Sequence, residues 1–150
     1  MRGTVFMRSP EQVIWDLVQG WLKKAEEDFH VAGELMERDR VSYTPVGFHS
    51  QQAAEKFLKG LLTRHQIAFP KTHAIEELLV LAERAESGIH AELRDTEILS
   101  PYGVEIRYPG DRPDLTQSEG TEAVRLADRV RTTVMRRLEA YVRAGRPGTS

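Results

Sequence analysis

Apolar residues return every three or four positions along most of the chain, which is the spacing of an amphipathic α-helix. The first such stretch opens at Ser9-Pro10-Glu11-Gln12, where a capping box and a proline in the first turn mark a helix start. The periodicity continues to about Glu37, with Gly20 as a point where the helix can kink. The pattern therefore predicts one long N-terminal helix.

Four more helices are predicted downstream. Their approximate limits are 44–65, 72–87, 90–99 and 116–143. Thr72 is the expected cap of the third helix, Ser87-Gly88 ends it, and a stretch rich in proline and glycine over 100–118 is expected to be a loop. Since no stretch alternates between apolar and polar residues, no strand is predicted. The expected fold is all-α: an up-and-down four-helix bundle with an additional short helix.

Length and composition narrow the class of protein. The 150 residues suit a single domain with a core over about 10–143, and the ends, 1–8 and 144–150, are expected to be flexible. The absence of cysteine excludes disulfides and thiolate metal sites, and the net charge of -2 gives no bulk indication of nucleic-acid binding. No apolar run approaches the roughly 18 residues of a membrane span, and the N-terminus lacks the apolar core of a signal peptide. We therefore expect a cytoplasmic protein with no membrane partner, no metal and no cofactor.

The second helix carries the clearest chemical pattern. At about 100° per residue, four polar side chains share an arc of roughly 80°; they are His49, Gln52, Lys56 and Lys59. The apolar arc opposite is wider than one core contact requires, so either this helix is central in the bundle or its apolar margin meets a second subunit. Gln51 and Glu55 lie between the two arcs and are expected to be hydrogen-bonded partly out of water.

The same helix resembles the signature helix of the HEPN domain family. The resemblance rests on the stretch 48–59, FHSQQAAEKFLK, followed by Phe69-Pro70-Lys71-Thr72-His73. Upstream, Ala25-Glu26-Glu27-Asp28-Phe29 is similar to the first helix of that family. Downstream, Tyr102 and then Arg107-Tyr108-Pro109 are similar to its loop motif. Together these pieces cover most of the chain, from about 21 to 141.

This resemblance implies a helical bundle that forms homodimers and binds nucleotide or RNA. It also implies a minimal nucleotidyltransferase as partner, in a toxin–antitoxin type of pair. Some members of the family are metal-independent ribonucleases that use an Arg and a His separated by four to six residues, late in the fold. Arg84 and His90 have this spacing, but they precede the last helices, and no His follows His90. An endoribonuclease is therefore an alternative hypothesis, with no firm catalytic residue.

The candidate ligand site combines the second helix with the loop over 100–118, which carries Arg107. His49, Gln52, Lys56 and Lys59 together with Arg107 offer phosphate and polar contacts, while Tyr102 and Tyr108 offer rings that stack on bases. The alternatives are a solvated helix face with a Glu55–Lys59 ion pair, and tyrosines that pack the loop onto the bundle. A structural oligomerisation module without ligand is a further hypothesis.

Five polar residues are predicted to have structural roles; they are Asp28, Gln51, Glu55, His73 and Arg131. Asp28 falls within the apolar stripe of the first helix, where an isolated charge is costly, so it requires a partner. The candidate partners are Lys56, Arg107 and Arg131. His73, one residue after Thr72, can donate to a nearby carbonyl or carboxylate.

Overall fold

The computed structural model describes residues 7–39, 42–104 and 108–148. Within these ranges every regular element is helical. The elements are α1 (Pro10–Met36), α2 (Tyr43–Arg64), α3 (Ile75–Glu83), α4 (Ile89–Leu93), a 3-10 helix (Arg94–Gly103), α5 (Gln117–Arg137) and α6 (Glu139–Ala144). The predicted all-α bundle is confirmed, and α1 and α2 have nearly their predicted limits.

Helix α1 begins where the sequence places its capping box. The Ser9 hydroxyl accepts from the Gln12 N–H at 3.1 Å, and the Gln12 side chain accepts from the Ser9 N–H at 3.0 Å. These bonds satisfy N–H groups that have no partner within the helix. The helix then continues through Gly20 without interruption.

Helix α2 is the centre of the bundle. It packs against α1, α3, the 3-10 helix and α5. Gly60 lies beside Trp21 while Asp28 is bonded to His49, so α1 and α2 are antiparallel. A helix surrounded by four elements needs apolar side chains over most of its circumference, which accounts for its wide apolar arc.

The connection from α2 to α3 runs back along α2. It starts with a bond from the Ile67 N–H to the Leu62 carbonyl, and it brings His73 to Glu55. The prediction that Thr72 caps α3 is wrong. Its hydroxyl accepts from the Ala74 N–H at 3.0 Å in a local turn, so that Ala74 is the N-cap.

The region around the end of α3 and after it differs from the prediction in helix limits and in helix type. The prediction that Ser87-Gly88 ends the third helix is wrong: α3 ends at Glu83, and Gly88, whose φ is 89°, is the N-cap of α4. The predicted helix over 90–99 is a short α4 followed by a 3-10 helix that extends to Gly103, so the loop predicted to start at Ser100 starts later. Pro101 has no N–H to donate to an α-helical bond, and the tighter 3-10 turns accommodate it.

The C-terminal segment also differs from the prediction. Helix α5 starts at a Thr116–Glu119 capping box as predicted, but Leu138 separates it from α6. The described part of the tail, expected to be flexible, is bonded to α1: Arg146 Nε lies 3.0 Å from Asp16 Oδ1, and the Pro147 carbonyl accepts from Gln12. Residues 1–6 and 149–150, also expected to be flexible, lie outside the described ranges.

Arginines of α5 bind carboxylates of the α3–α4 region. Arg137 donates to Glu86 and Glu92, each at 3.1 Å, and Arg136 also donates to Glu92. The hydrogen bond from Arg136, followed by that from Arg137, holds the pKa of Glu92 below its ordinary value. These bonds fix α5 against α4, on the side of the bundle away from α1.

Candidate functional site

The polar residues of α2 lie between two segments of the chain that bond to them. We call this region the α2 groove: its floor is Gln52, Glu55, Lys56 and Lys59, one wall is α1 with Trp21 and Asp28, and the other wall is the 65–74 connection with Phe69 and His73. The walls meet at one end, where the rings of Trp21 and Phe69 are 6.0 Å apart. His49 lies toward the other end.

The α1 wall is attached to the floor through Asp28. Its two carboxylate oxygens accept from His49 Nδ1, at 2.8 Å, and from Lys56 Nζ. Because a carboxylate only accepts, the Nδ1 of His49 carries the proton, and Nε2 makes no hydrogen bond within the described part of the chain. Lys56 uses one of its three donors on Asp28. Both side chains are half-buried and held in place, with polar atoms left for a ligand.

Of the three partners considered for Asp28, Lys56 is the one observed. Arg131 is not a partner: its Nε lies 2.9 Å and 3.0 Å from the two carboxylate oxygens of Glu26, and its guanidinium lies over the Phe29 ring at 5.3 Å. It lines a shallow depression of about 420 Å³ between α1 and α5. Arg107 lies outside the described residues.

The connection wall is attached through Glu55. This carboxylate, only 4% exposed, accepts from Lys59 Nζ at 3.0 Å, His73 Nδ1 at 2.7 Å and Gln51 Nε2 at 3.2 Å. The expected hydrogen bonding of Gln51 and Glu55 out of water is confirmed. The Glu55–Lys59 pair is present too, but it is buried, so the expectation of a solvated face is wrong for these two residues.

Lys59 is enclosed by aromatic rings. Its Nζ lies 5.7 Å from the centroid of Trp21 and 5.5 Å from that of Phe69, and the residue is 7% exposed. Its charge is therefore directed to Glu55 and to the ring faces. His73, by contrast, keeps 66% of its side chain exposed at the rim of the α2 groove.

The 3-10 helix ends at the border of the α2 groove. A Cβ placed on Gly103 would come within 2.7 Å of Gln51 Cδ, so the backbone there lies flat against the Gln51 amide. Gln52 Nε2 in turn donates to Gln51 Oε1 at 2.7 Å. The amide network thus connects the floor of the α2 groove to the start of the following loop.

Of the two tyrosines predicted to stack on bases, Tyr102 packs against another face of α2. The Tyr102 ring packs near Gly47 and Leu115. Gly47 is five residues before Gln52, which is about 140° around the helix. Tyr108 is 72% exposed, and its N–H donates to Asp111. Packing of Tyr102 onto the bundle, one of the two alternatives considered, is observed.

Three aromatic residues that the sequence did not single out border the α2 groove instead. Phe48 contacts His49 with ring centroids 5.2 Å apart, and Trp21 and Phe69 close the opposite end. The sequence could have indicated two of them by their position: Phe48 is within the signature stretch, and Phe69 is within the motif that follows it.

The second candidate pair, Arg84 and His90, flanks the turn at Gly88. His90 Nε2 lies 3.0 Å from Glu97, and its N–H donates to Glu83. Arg84 is exposed at the C-terminal cap of α3. The His90 imidazole is thus already bonded to a carboxylate through Nε2.

Neither a metal-ligand cluster nor a membrane-spanning helix is present in the described part of the chain. In the part of the chain that is described, no group of three or more His, Asp or Glu side chains is arranged to hold a metal ion. No described helix is both long enough and apolar enough to cross a membrane.

The fold and the groove define an all-helical bundle built around one central helix with a polar edge. A model of the HEPN domain matches residues 18–138, and the chain belongs to the HEPN domain family. The crystal structure of TT1696 from Thermus thermophilus is similar, with a TM-score of 0.62 and 29% sequence identity over 79% of this chain and 96% of that one. No curated protein matches the chain.

Proposed function

We propose that this HEPN-domain protein binds nucleotide or RNA in the α2 groove. The observation that supports this most directly is the position of Lys56 on Asp28, beside His49. Lys56 uses one N–H on Asp28 and keeps two donors for phosphate on a rigid helix. Gln52 and His73 supply further polar groups in the same region.

The charged side chains of the α2 groove are paired. Two ammonium groups, on Lys56 and Lys59, face two carboxylates, on Asp28 and Glu55, so these four side chains carry no net charge together. A phosphate group therefore meets the free N–H donors of Lys56 without having to displace an excess of negative charge.

Calorimetric titration with ATP and with a short single-stranded RNA tests the proposal. Lys56→Ala is expected to weaken binding by about tenfold, since a charge-assisted hydrogen bond contributes roughly 1.5–3 kcal/mol. Lys23→Ala is the matched control, because Lys23 is an exposed lysine of α1 that is not among the residues of the α2 groove. Absence of binding in the wild type, or equal binding in both variants, would contradict the proposal.

We further propose that the protein forms a homodimer and acts as partner of a minimal nucleotidyltransferase, in a toxin–antitoxin type of pair. The support is membership of the HEPN domain family together with the signature stretch of α2. Light scattering tests the dimer. Co-expression with the product of a neighbouring nucleotidyltransferase gene, followed by co-purification, tests the partner; separate elution of the two chains would contradict it.

A further inference from the structure

The hydrogen bonds around Gln51 fix the orientation of its amide. Its Nε2 lies 3.2 Å from Glu55 Oε1 and 2.8 Å from the carbonyl oxygen of His73. A carboxylate oxygen and a carbonyl oxygen can only accept, so the nitrogen of the amide must be the atom that faces them. Oε1 of Gln51 then points the other way, toward Gln52.

The orientation of the Gln52 amide follows from that of Gln51. The neighbouring Gln51 Oε1 is an acceptor, and Gln52 Nε2 donates to it at 2.7 Å. One N–H and the oxygen of the Gln52 amide remain, and neither has a partner among the described residues. The half-buried Gln52 thus presents one donor beside one acceptor in the α2 groove.

A donor beside an acceptor on one amide plane matches the edge of a nucleobase. Glutamine pairs in this way with the N6 amino group and N7 of adenine. Phosphate oxygens only accept, so a bare polyphosphate has no use for the amide oxygen. Residues four apart on a helix have Cβ atoms about 5–6 Å apart, so Gln52 and Lys56 can reach the base and a phosphate of one nucleotide.

We propose that Gln52 recognises the base of a nucleotide whose phosphates are bound by Lys56. This inference rests on the proposed function and names the residue that distinguishes a nucleotide from a bare polyphosphate. Gln51 is a positioning residue: Glu55 and the His73 carbonyl hold it, and it holds Gln52.

The test compares ATP with inorganic tripolyphosphate by calorimetry on the full chain. For the wild type, ATP is expected to bind at least about tenfold more tightly, the contribution of one bidentate base contact. Gln52→Leu should remove this preference, so that ATP and tripolyphosphate bind with equal affinity. Gln52→Glu, which keeps the shape but has no N–H, should also remove it.

Gln117→Leu, at the exposed first residue of α5, is the matched control and should keep the wild-type ratio. Gln51→Leu should lower the ratio without changing tripolyphosphate binding, which loss of folding alone would not do. Equal affinity for the two ligands in the wild type, or an unchanged ratio in both Gln52 variants, would overturn base recognition and leave phosphate binding intact. Failure of both ligands to bind would instead contradict the proposed function.

Discussion

Replacing Glu55 by leucine tests how the buried charges of the α2 groove are balanced. The Glu55 carboxylate is 4% exposed and accepts from Lys59 Nζ at 3.0 Å. In Glu55→Leu the Lys59 ammonium stays between the rings of Trp21 and Phe69 without a counter-charge. Removing one partner of a buried ion pair costs about 3–5 kcal/mol. In a domain of this size each kcal/mol lowers Tm by about 2–4 °C, so a fall of roughly 10 °C is expected.

Urea unfolding followed by far-UV circular dichroism measures the free energy of unfolding. Glu122→Leu is the control, since the Glu122–Arg125 pair is exposed and such pairs contribute about 1 kcal/mol or less. The double variant Glu55→Leu/Lys59→Met removes both charges and keeps an unbranched side chain against the two rings. It is expected to be more stable than Glu55→Leu by at least about 1 kcal/mol.

Two outcomes would refute this reasoning. One is a Glu55→Leu variant as stable as the Glu122→Leu control, which would mean that the Lys59 ammonium finds water or another acceptor at little cost. The other is a double variant less stable than Glu55→Leu, which would mean that the stability comes from the polar network itself and not from the pairing of the two charges.

Two further predictions concern the groove and the tail. Gly103→Ala should destabilise the fold by about 1–3 kcal/mol, because the new Cβ would lie 2.7 Å from Gln51 Cδ; a thermal melt equal to that of the wild type would contradict this. Hydrogen bonds from Arg146 and then Arg8 lower the pKa of Asp16 from 3.8 to about 2, so its stabilising effect is present above pH 3.8 and is lost as pH falls through about 2. The difference in urea midpoint between wild type and Asp16→Asn should therefore shrink from pH 6 to pH 2, and a constant difference would count against the pair.

Much of the helical structure follows from local signals. The capping boxes at Ser9 and Thr116 were visible because each uses residues three apart. The central position of α2 was one of two readings of its wide apolar arc, and the packing of four elements around it confirms that reading. Thr72 shows the limit of local reasoning, because a threonine before a helix can cap it or close its own turn, and here it closes a turn.

The partner of Asp28 required the tertiary structure. Its position in an apolar stripe showed that a partner was needed, and Lys56, Arg107 and Arg131 were all of suitable charge. Only the way the helices pack brings Lys56 to Asp28 while Arg131 meets Glu26. A charge pattern gives the sign of the partner, whereas its identity depends on which helix faces are in contact.

The sequence by itself determined that this chain is an all-α bundle, and it placed on α2 both a strip of polar side chains and the stretch that resembles the HEPN signature. Only the tertiary structure decided which residues lie opposite these polar side chains. The 65–74 connection runs back along α2, so that Phe69 reaches Trp21 and His73 reaches Glu55, while Tyr102 packs elsewhere. Periodicity and capping arise from contacts within one turn of helix, whereas the path of a connection depends on residues far apart in the chain.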